Sequence, residues 1–325
     1  VVRRPLPWRQ DPTPYHTWIA EIMLQQTRIE AVIPYYNRFL DAIPSVSALA
    51  KVPEDQLLKL WEGLGYYSRA RNLKKAAMQI VEQYGGELPS SVAELKALPG
   101  IGEYTAGSIA SIAFGLPEPA VDGNVLRVMT RVLACRDDIA LPGTRRRMTG
   151  MLRALYPSGK AAALLTEGIM ELGERVCIPN GVPNCAHCPL CGSCAAHLRG
   201  ETLSYPVKTG KKPRRIENRT VFLLHCGAEY AIRKRPGSGL LAGLWEFPNE
   251  PGCLTPEEAL QSFPAVSAAP CGEFRHIFTH VEWHMTGYLL ECREKLPGFL
   301  WKSPEEISQS YSLPAAFRFY QKQLG

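Results

Sequence analysis

The sequence lacks any apolar run approaching the roughly 20 residues that a membrane-spanning helix needs. It also has no internal repeat and no low-complexity tract. The first five residues, VVRRP, show no apolar segment of a signal peptide. We therefore expect a cytoplasmic protein with no membrane partner.

The ten cysteines are unevenly distributed, and this argues against a disulfide framework. Five of them fall between residues 177 and 194. Disulfide frameworks are typical of short secreted chains. Close spacing in a long chain without an export signal indicates a metal or iron–sulfur site instead. The formal net charge of +6 is compatible with a polyanionic partner such as nucleic acid.

A chain of 325 residues predicts two domains. From residue 1 to 205, apolar side chains recur at helical spacing between Gly and Pro breaks. Residues 206–216 are polar and basic, and we interpret them as a linker. Over 217–325 the pattern predicts strands at 219–224, 229–233 and 284–290 and helices at 256–263 and 314–323. The predicted fold class is therefore multi-domain, with an all-α domain followed by an α+β domain.

The segment LPGIG at residues 98–102 predicts a tight turn between two helices. Pro99 would end the first helix, and Gly100 and Gly102 would permit a tight turn with positive φ. The next helix would begin near Glu103 with free N–H groups, an arrangement that binds anions. A DNA phosphate could dock there without sequence preference. From these residues alone, a plain helix–helix turn without a ligand is an equal alternative.

Two carboxylates are candidates for acid–base chemistry. Asp122 precedes an apolar helical stripe at 125–133, and a carboxylate at a helix N-terminus is stabilised by the dipole and by backbone N–H groups. Glu21 shares a helix face with Trp18 and Gln25, where poor solvation would raise its pKa. Such a pair can divide into an acid and a charge stabiliser for glycosidic cleavage. Taken singly, a plain N-cap Asp and a partly exposed Glu are the simpler interpretations.

Longer motifs carry a family resemblance: WR at 8–9 before WIAEIMLQQT at 18–27, GLGYYSRARNL at 63–73, and LPGIGEYTA at 98–106 before VDGNV at 121–125. Together they resemble the helix–hairpin–helix DNA glycosylase superfamily, and within it the adenine DNA glycosylases of the MutY type, over nearly the whole chain. The resemblance implies base flipping and hydrolytic removal of adenine mispaired with 8-oxoguanine or guanine in double-stranded DNA. We expect a monomer associated with the bacterial nucleoid.

The resemblance also implies roles for individual residues. Glu21 would protonate adenine at N7 and later handle the water, and Asp122 would stabilise or capture the sugar cation at C1′. Tyr104 and Asn124 would hold the reacting groups in place. The residues expected to contact the flipped adenine or to enter the base stack, with Gln26 and Tyr66 near the opposing base, are Trp8, Arg9, Leu24, Gln26, Thr27, Tyr66 and Glu167.

Tyr104 bears on the reaction type. In strand-cutting relatives of the endonuclease III type, a lysine follows the hairpin at this position and forms a Schiff base with C1′. A phenol cannot form an imine. We therefore predict a monofunctional glycosylase that leaves the DNA strand intact.

Four cysteines, Cys177, Cys185, Cys188 and Cys194, have the spacing C-x7-C-x2-C-x5-C. Four thiolates at such spacing suit a [4Fe–4S] cluster or a structural zinc. The family carries a [4Fe–4S] cluster with one residue fewer in the first gap, so we predict this cofactor here. Cys191 leaves an alternative, because the four cysteines from 185 to 194 also form a regular ligand set.

The second domain resembles a Nudix-type fold through Arg233-Lys234-Arg235 and GLWEFP at 243–248. Nudix hydrolases need an R-E-x-x-E-E helix, and TPEEAL at 255–260 lacks it, so we predict a recognition module. In the family this domain reads 8-oxoguanine through a Phe-Ser-His loop. Phe278, Thr279 and His280 stand in that place here, with Thr keeping the hydroxyl; taken alone, the triplet is ordinary strand-end sequence.

Three other functions stand beside this one. A related glycosylase could act on another base such as thymine, and Tyr104, Glu21 and the attached second domain argue against it. A non-catalytic iron–sulfur DNA-binding or redox protein is disfavoured because both Glu21 and Asp122 are present. A Nudix hydrolase with a helical appendage is disfavoured by the missing metal-binding motif.

Overall fold

The computed structural model describes residues 4–210 and 213–324. Residues 1–3, 211–212 and 325 lie outside the described residues, and with them part of the predicted linker and the outermost residues of both predicted domains. Contacts divide the chain into two units. The first consists of Val1–Val52 and Arg71–Gly210, and the second of Pro53–Ala70 and Lys211–Gly325. The break at 210 falls inside the predicted linker, whereas nothing in the sequence pattern indicated that Pro53–Ala70 groups with the second unit.

Helices build the chain up to residue 205, as the apolar periodicity predicted. They are α1 (Pro7–Gln10), α2 (Pro14–Leu24), α3 (Ile29–Ala42), α4 (Val46–Lys51), α5 (Glu54–Leu60), α6 (Ser68–Tyr84), α7 (Val92–Ala97), α8 (Glu103–Ile112), α9 (Gly123–Val132), α10 (Pro142–Arg153), α11 (Lys160–Arg175) and α12 (Ala195–Leu198), with 3-10 turns at Cys185–His187, Cys191–Ser193 and Thr202–Ser204. No helix of the described residues is both long and apolar enough to span a membrane.

Local interactions set where α8 and α9 lie relative to each other. The Asp122 side chain begins α9 by accepting the backbone N–H of Val125 at 2.8 Å, a cap that contributes about 1 kcal/mol. On α8, a Cβ at Gly107 would come within 2.5 Å of the carbonyl oxygen of Pro119. Glycine therefore lets α8 pack directly against the backbone that leads into Asp122.

A seven-stranded mixed sheet forms the second unit, as the strand pattern predicted in outline. Its strands are β1 (Arg215–Cys226), β2 (Glu229–Lys234), β3 (Trp245–Glu246), β4 (Asn249–Pro251), β5 (Ala265–Ile277), β6 (Val281–Cys292) and β7 (Leu300–Lys302), in the order β3-β2-β1-β6-β5, with β4 on β1 and β7 on β2. Strands β1 and β6 run parallel, while β5 and β6 form an antiparallel hairpin. Alternate residues of β1 enter two different apolar cores, one on each face of the sheet.

The acidic stretch at 255–260 forms the start of a helix in the second unit. Helices α13 (Pro256–Ser262) and α14 (Pro304–Ser310) each begin with a capping box. In the first, Thr255 caps the N–H of Glu258, and the Glu258 carboxylate accepts the N–H of Thr255 at 2.8 Å. One of the two consecutive glutamates is therefore held by a helix start.

Several details of the second unit were wrong or missed. Strand β1 begins at Arg215, inside the predicted linker 206–216, because it pairs with β6 from Val281 onwards. The helix predicted at 314–323 is a 3-10 turn (Ala315–Phe317) followed by the short α15 (Arg318–Gln321). Strands β3, β4 and β7, of two or three residues each, were not predicted. Strand β5 was also missed, because bulges interrupt its alternation near Ala265 and Pro270.

Candidate active site

A pocket of about 180 Å³ opens in the first unit, with walls formed by α1, α2, α8, α9 and α11. Of the ten catalytic and substrate-binding residues predicted in this unit, all but Gln26 line it. They are Trp8, Arg9, Glu21, Leu24, Thr27, Tyr104, Asp122, Asn124 and Glu167. Residues more than 140 positions apart in the sequence therefore meet at one cavity.

Glu21 lies on α2 and is 5% exposed. Burial raises the pKa of Glu21 to about 7, and the charge of Asp122 adds to the rise, while the Tyr104 hydroxyl and the Arg9 guanidinium oppose it. Its Oε2 atom is buried and has no hydrogen-bond partner among the described residues. A carboxyl group in this state is about half protonated at pH 7 and has one oxygen left for a ligand.

Tyr104 is on the first turn of α8, directly after the hairpin. Burial raises the pKa of Tyr104 well above its ordinary value, and the nearby Glu21 and Asp122 raise it further. The phenol therefore stays protonated and can donate a hydrogen bond within the pocket.

Asp122 and Asn124 form a short hydrogen-bonded unit at the start of α9. The Asn124 Nδ2 atom donates to Asp122 Oδ2 at 3.0 Å, and the other Asp122 oxygen caps Val125. Both oxygens of Asp122 therefore accept hydrogen bonds from within the chain, and the helix dipole favours its negative charge.

Arginines and glutamates form a network on another wall. Arg9 donates from Nη1 to Glu171 Oε1 at 2.5 Å and lies 3.6 Å from Glu167 through its Nε. Arg4 donates from Nε to both oxygens of Glu171 at 2.9 Å and pairs with Glu174. Since the side chains of Arg9 and Glu167 are largely buried, this wall presents fixed donors and acceptors to the cavity.

The turn after α2 carries three of the predicted residues. Leu24 and Thr27 line the pocket, whereas Gln26 is exposed between them and has a φ of 58°. A positive φ is uncommon for a non-glycine residue and marks a turn that its surroundings hold in place. The side-chain amide of Gln25 donates to the Thr105 hydroxyl at 3.2 Å, which ties this turn to α8.

The hairpin at 98–102 supports only part of the prediction made for it. Gly100 has a φ of 80°, and a Cβ there would lie 2.8 Å from the Asn72 side chain. Gly102 has an ordinary φ of −91°, so only Gly100 of the two uses the positive φ that glycine permits. Gly102 is the N-cap of α8 and makes no side-chain cap hydrogen bond, which leaves the first N–H groups of the helix available.

The cysteine-rich loop surrounds a second, smaller cavity. Its walls include all five clustered cysteines, Cys177, Cys185, Cys188, Cys191 and Cys194. Burial raises the pKa of the Cys185 and Cys188 thiols, and the neighbouring cysteines add to the rise. Among the described residues, no three His, Cys, Asp or Glu side chains form a site for a single metal ion.

Arg127 connects the cysteine-rich loop with the pocket. Its Nε donates to the Cys177 carbonyl at 2.8 Å, while its Nη2 donates to Asn124 Oδ1 at 2.9 Å and to the Gly173 carbonyl at 2.6 Å. Arg131 donates to Cys177 Sγ at 3.2 Å. A continuous set of hydrogen bonds therefore runs from Cys177 through Arg127 and Asn124 to Asp122.

In the second unit, Phe278, Thr279 and His280 form the turn of the β5–β6 hairpin. Phe278 is partly buried, with its ring 5.0 Å from that of Trp283, whereas Thr279 and His280 are exposed. Tyr66, predicted to enter the base stack, also belongs to this unit. Its hydroxyl lies 2.9 Å from the Thr279 hydroxyl.

Sequence reasoning missed several residues of the pocket. Thr17 lies one helical turn before Glu21, lines the cavity and is buried. Its i,i+4 spacing from Glu21 was visible in the sequence. Met170 and Glu174 also line the pocket, and the spacing of Glu167, Glu171 and Glu174 on one helix face was a usable signal. Arg4 gave no signal, since its role depends on contacts with α11.

Comparison with known proteins defines the class. Residues 19–153 match the family described as "HhH-GPD superfamily base excision DNA repair protein", and residues 220–323 match the NUDIX domain family. A solved thermostable thymine-DNA glycosylase is similar with a TM-score of 0.55 and 28% identity, over 61% of this chain and 90% of that chain. An endonuclease III in a non-covalent DNA complex has a TM-score of 0.51 and 28% identity, over 58% and 86%. The fold and site define a base excision DNA glycosylase with a Nudix-like domain.

Relatives that match over most of the chain narrow the class. Human adenine DNA glycosylase is 33% identical over 99% of this chain and 72% of the human protein. The adenine DNA glycosylase of Buchnera aphidicola subsp. Baizongia pistaciae is 35% identical over 76% of this chain and 69% of that protein. The chain belongs to the adenine DNA glycosylase family, whose members hydrolyse N-glycosyl bonds in base excision repair.

Proposed function

We propose that this protein removes adenine paired with 8-oxoguanine, or with guanine, from double-stranded DNA, with Glu21 as the proton donor. One observation carries the proposal. Glu21 is buried in a pocket with a pKa raised to about 7 and has an oxygen without a partner among the described residues. A neutral carboxylic acid at neutral pH can protonate a purine nitrogen, which makes adenine a better leaving group.

The reaction then follows from the other carboxylate. Glu21 gives its proton to N7 of the flipped adenine, and the bond between C1′ and N9 breaks with its electron pair going to the base. Asp122, held by Val125 and Asn124, stabilises or captures the cation that remains at C1′. Water then adds to C1′, displacing the Asp122 carboxylate where it has bonded there, and the water's proton passes to the Glu21 carboxylate, which restores the starting state.

We propose a monofunctional reaction, in which the DNA strand stays intact. The described residues that line the pocket include no lysine, and Tyr104 stands directly after the hairpin. A protonated phenol cannot form an imine with C1′, so the route to strand cleavage through a Schiff base is missing. Tyr104 instead donates a hydrogen bond that holds Glu21 and the sugar in place.

Recognition is divided between the two units. Arg9 and Glu167 offer a donor and an acceptor to the edge of the flipped adenine, and Trp8, Leu24 and Thr27 bound the cavity. Gln26 and Tyr66 act at the opposing base, which Thr279 and His280 read for 8-oxoguanine while Phe278 anchors their turn.

A backbone phosphate binds the open N-terminus of α8 beyond Gly100 and Gly102. We propose that the protein acts as a monomer.

We propose a [4Fe–4S] cluster held by Cys177, Cys185, Cys188 and Cys194. The cavity that these cysteines line supports it, because thiolates that raise one another's pKa need cations between them to ionise together. The cluster would contribute bound metal that fixes the loop, and hydrolysis requires no electrons from it. Iron and sulfide analysis decides between iron–sulfur and zinc, and Cys177→Ser against Cys191→Ser decides the fourth ligand.

The experiment is single-turnover base release from duplexes that contain adenine opposite 8-oxoguanine, adenine opposite guanine, or thymine opposite guanine. We expect fastest release from the first, slower release from the second and none from the third. Asp122→Asn should lower adenine release about 100-fold or more while retaining the cap of α9, since Asn also caps helices well. Release of thymine, or strand nicking without heat or base, would contradict the proposal.

A further inference from the structure

The segment Pro53–Ala70 is the unusual part of the division into units. Its neighbours along the chain on both sides belong to the first unit, yet the segment itself belongs to the second. It carries α5 and, after a turn, Tyr66. Something in the second unit must therefore hold it, and the contacts of α5 identify what does.

Glu62 and Lys59 are the centre of these contacts. Glu62 accepts the backbone N–H of Leu313 through Oε1 at 2.9 Å and pairs with Lys59 through Oε2 at 2.6 Å. The Lys59 ammonium also donates to the carbonyls of Ser308 and Tyr311. The two side chains together satisfy one N–H and two carbonyls in the last turn of α14 and the segment that follows it.

Ser312, in the segment after α14, donates a hydrogen bond back to α5. Its hydroxyl donates to the carbonyl of Leu58 at 3.1 Å, and the residue is only 2% exposed. Because this hydrogen bond is shielded from water, it fixes the distance between α5 and the segment more firmly than an exposed contact would. We call Lys59, Glu62 and Ser312 the α5 clasp.

The turn between the clasp and Tyr66 is short and internally held. Gly63, Gly65 and Tyr66 all have positive φ angles, of 100°, 72° and 47°. Trp61 donates its indole N–H to the Gly65 carbonyl at 3.1 Å, and Arg69 donates to the same carbonyl at 3.1 Å. The location of Glu62 therefore determines the location of Tyr66.

The other end of the clasp leads to the hairpin turn. Leu313 belongs to the apolar core that also contains Trp283, and Phe278 packs against that core. Thr279 follows Phe278 directly, and its hydroxyl meets Tyr66 at 2.9 Å. Tyr66 and Thr279 are therefore connected in two ways: directly through their hydroxyl groups, and indirectly through the α5 clasp, Leu313 and the apolar core.

We propose that Glu62, supported by Lys59 and Ser312, is a positioning residue for discrimination of the base opposite adenine. It acts by holding Tyr66 against Thr279, without contacting DNA itself. The inference rests on the proposed function, in which Tyr66 and Thr279 act at that base.

The test compares Glu62→Ala and Ser312→Ala with wild type and with Gln56→Ala, an exposed control on α5. Single-turnover adenine release is measured opposite 8-oxoguanine and opposite guanine, together with hydrogen exchange of the Leu313 amide. We expect the preference for 8-oxoguanine to fall about fivefold, the factor expected from one lost hydrogen bond. Release opposite guanine should stay within about twofold of wild type, and Leu313 should exchange faster in Glu62→Ala. Glu62→Gln, which keeps an acceptor for Leu313, should restore most of the preference.

Unchanged preference in both variants would overturn the inference, as would equal loss on both duplexes or unchanged Leu313 exchange in Glu62→Ala. Failure of the proposed function is a different result, since it would appear in the wild type as no adenine release or no preference for 8-oxoguanine. Ser312→Ala provides a second route if Glu62→Ala does not fold.

Discussion

The acid pocket of the first unit and the hairpin turn of the second unit differ in how much of their polar side chains is exposed to solvent. In the pocket, Glu21 is buried and its pKa is raised to about 7. At the hairpin turn, Thr279 and His280 are exposed, and Tyr66 is 44% exposed. Burial changes what a group can do chemically, whereas exposure leaves its chemistry ordinary and makes it available to a large ligand. Changes in the pocket should therefore alter the rate, and changes at the turn should alter the preference.

The largest expected effect comes from Glu21→Gln. An amide cannot supply the proton, so adenine release should fall about 1,000-fold on both duplexes, in the range for loss of a general acid. Duplex binding should be retained, because the change removes no contact with phosphate. Single-turnover release and equilibrium binding to an adenine:8-oxoguanine duplex measure the two quantities, with Glu30→Gln as an exposed control on α3. A variant that releases adenine at the wild-type rate would remove the distinction between the two regions.

The pH dependence of the free energy of unfolding gives an independent check on Glu21→Gln. The folded-state pKa of Glu21 is raised above its unfolded value, so the folded protein holds a proton that the unfolded chain loses between pH 4.5 and about 7. Stability from this group is therefore lost as pH rises through that window, by up to about 3 kcal/mol. Urea unfolding at pH 5 and pH 8 should show this loss in the wild type, and Glu21→Gln should lack that part of it.

The hairpin turn should give a smaller effect of a different kind. Replacing Thr279 and His280 together by Ala should lower the preference for 8-oxoguanine over guanine about 25-fold, the scale of two lost hydrogen bonds. The rate opposite guanine should hardly change. The ratio of single-turnover rates measures this, with Ser267→Ala on β5 as the exposed control. If the rates on the two duplexes fell equally, the turn would be part of general DNA binding.

Arg127 gives the smallest effect and sharpens the comparison within the first unit. Arg127→Gln removes the hydrogen bond to Asn124 and loosens the pair that Asn124 forms with Asp122. We expect about a fivefold slower release on both duplexes and an unchanged preference. Iron content and release rates, compared with Arg199→Gln, are the measurements. A changed preference with an unchanged rate would contradict the role of Arg127 in holding Asn124 and Asp122.

Residues near each other in the sequence were the easiest to predict. Asp122 as the cap of α9 and Glu103 as the start of α8 follow from local backbone chemistry, and both are confirmed. The burial of Glu21 followed from its apolar neighbours on α2. Residue-level roles came from the family resemblance and stay proposals.

Residues joined by tertiary packing were beyond the sequence pattern. The Arg4–Glu171 pair links positions 167 residues apart, and Arg127 reaches Cys177 across 50. Strand β5 is mostly exposed and interrupted by bulges, so its alternation gave little signal. Grouping of Pro53–Ala70 with the sheet depends on Ser312 and Leu313, more than 240 residues away. Such contacts leave no periodicity to read.

The pH dependence of single-turnover adenine release tests most directly whether Glu21 is the proton donor. Between pH 5.5 and 9, the wild-type rate should be constant below about pH 7 and fall about tenfold per unit above it, because only the protonated acid reacts. The residual rate of Glu21→Gln should show no fall near pH 7. A wild-type rate that stays constant up to pH 9 would contradict the account.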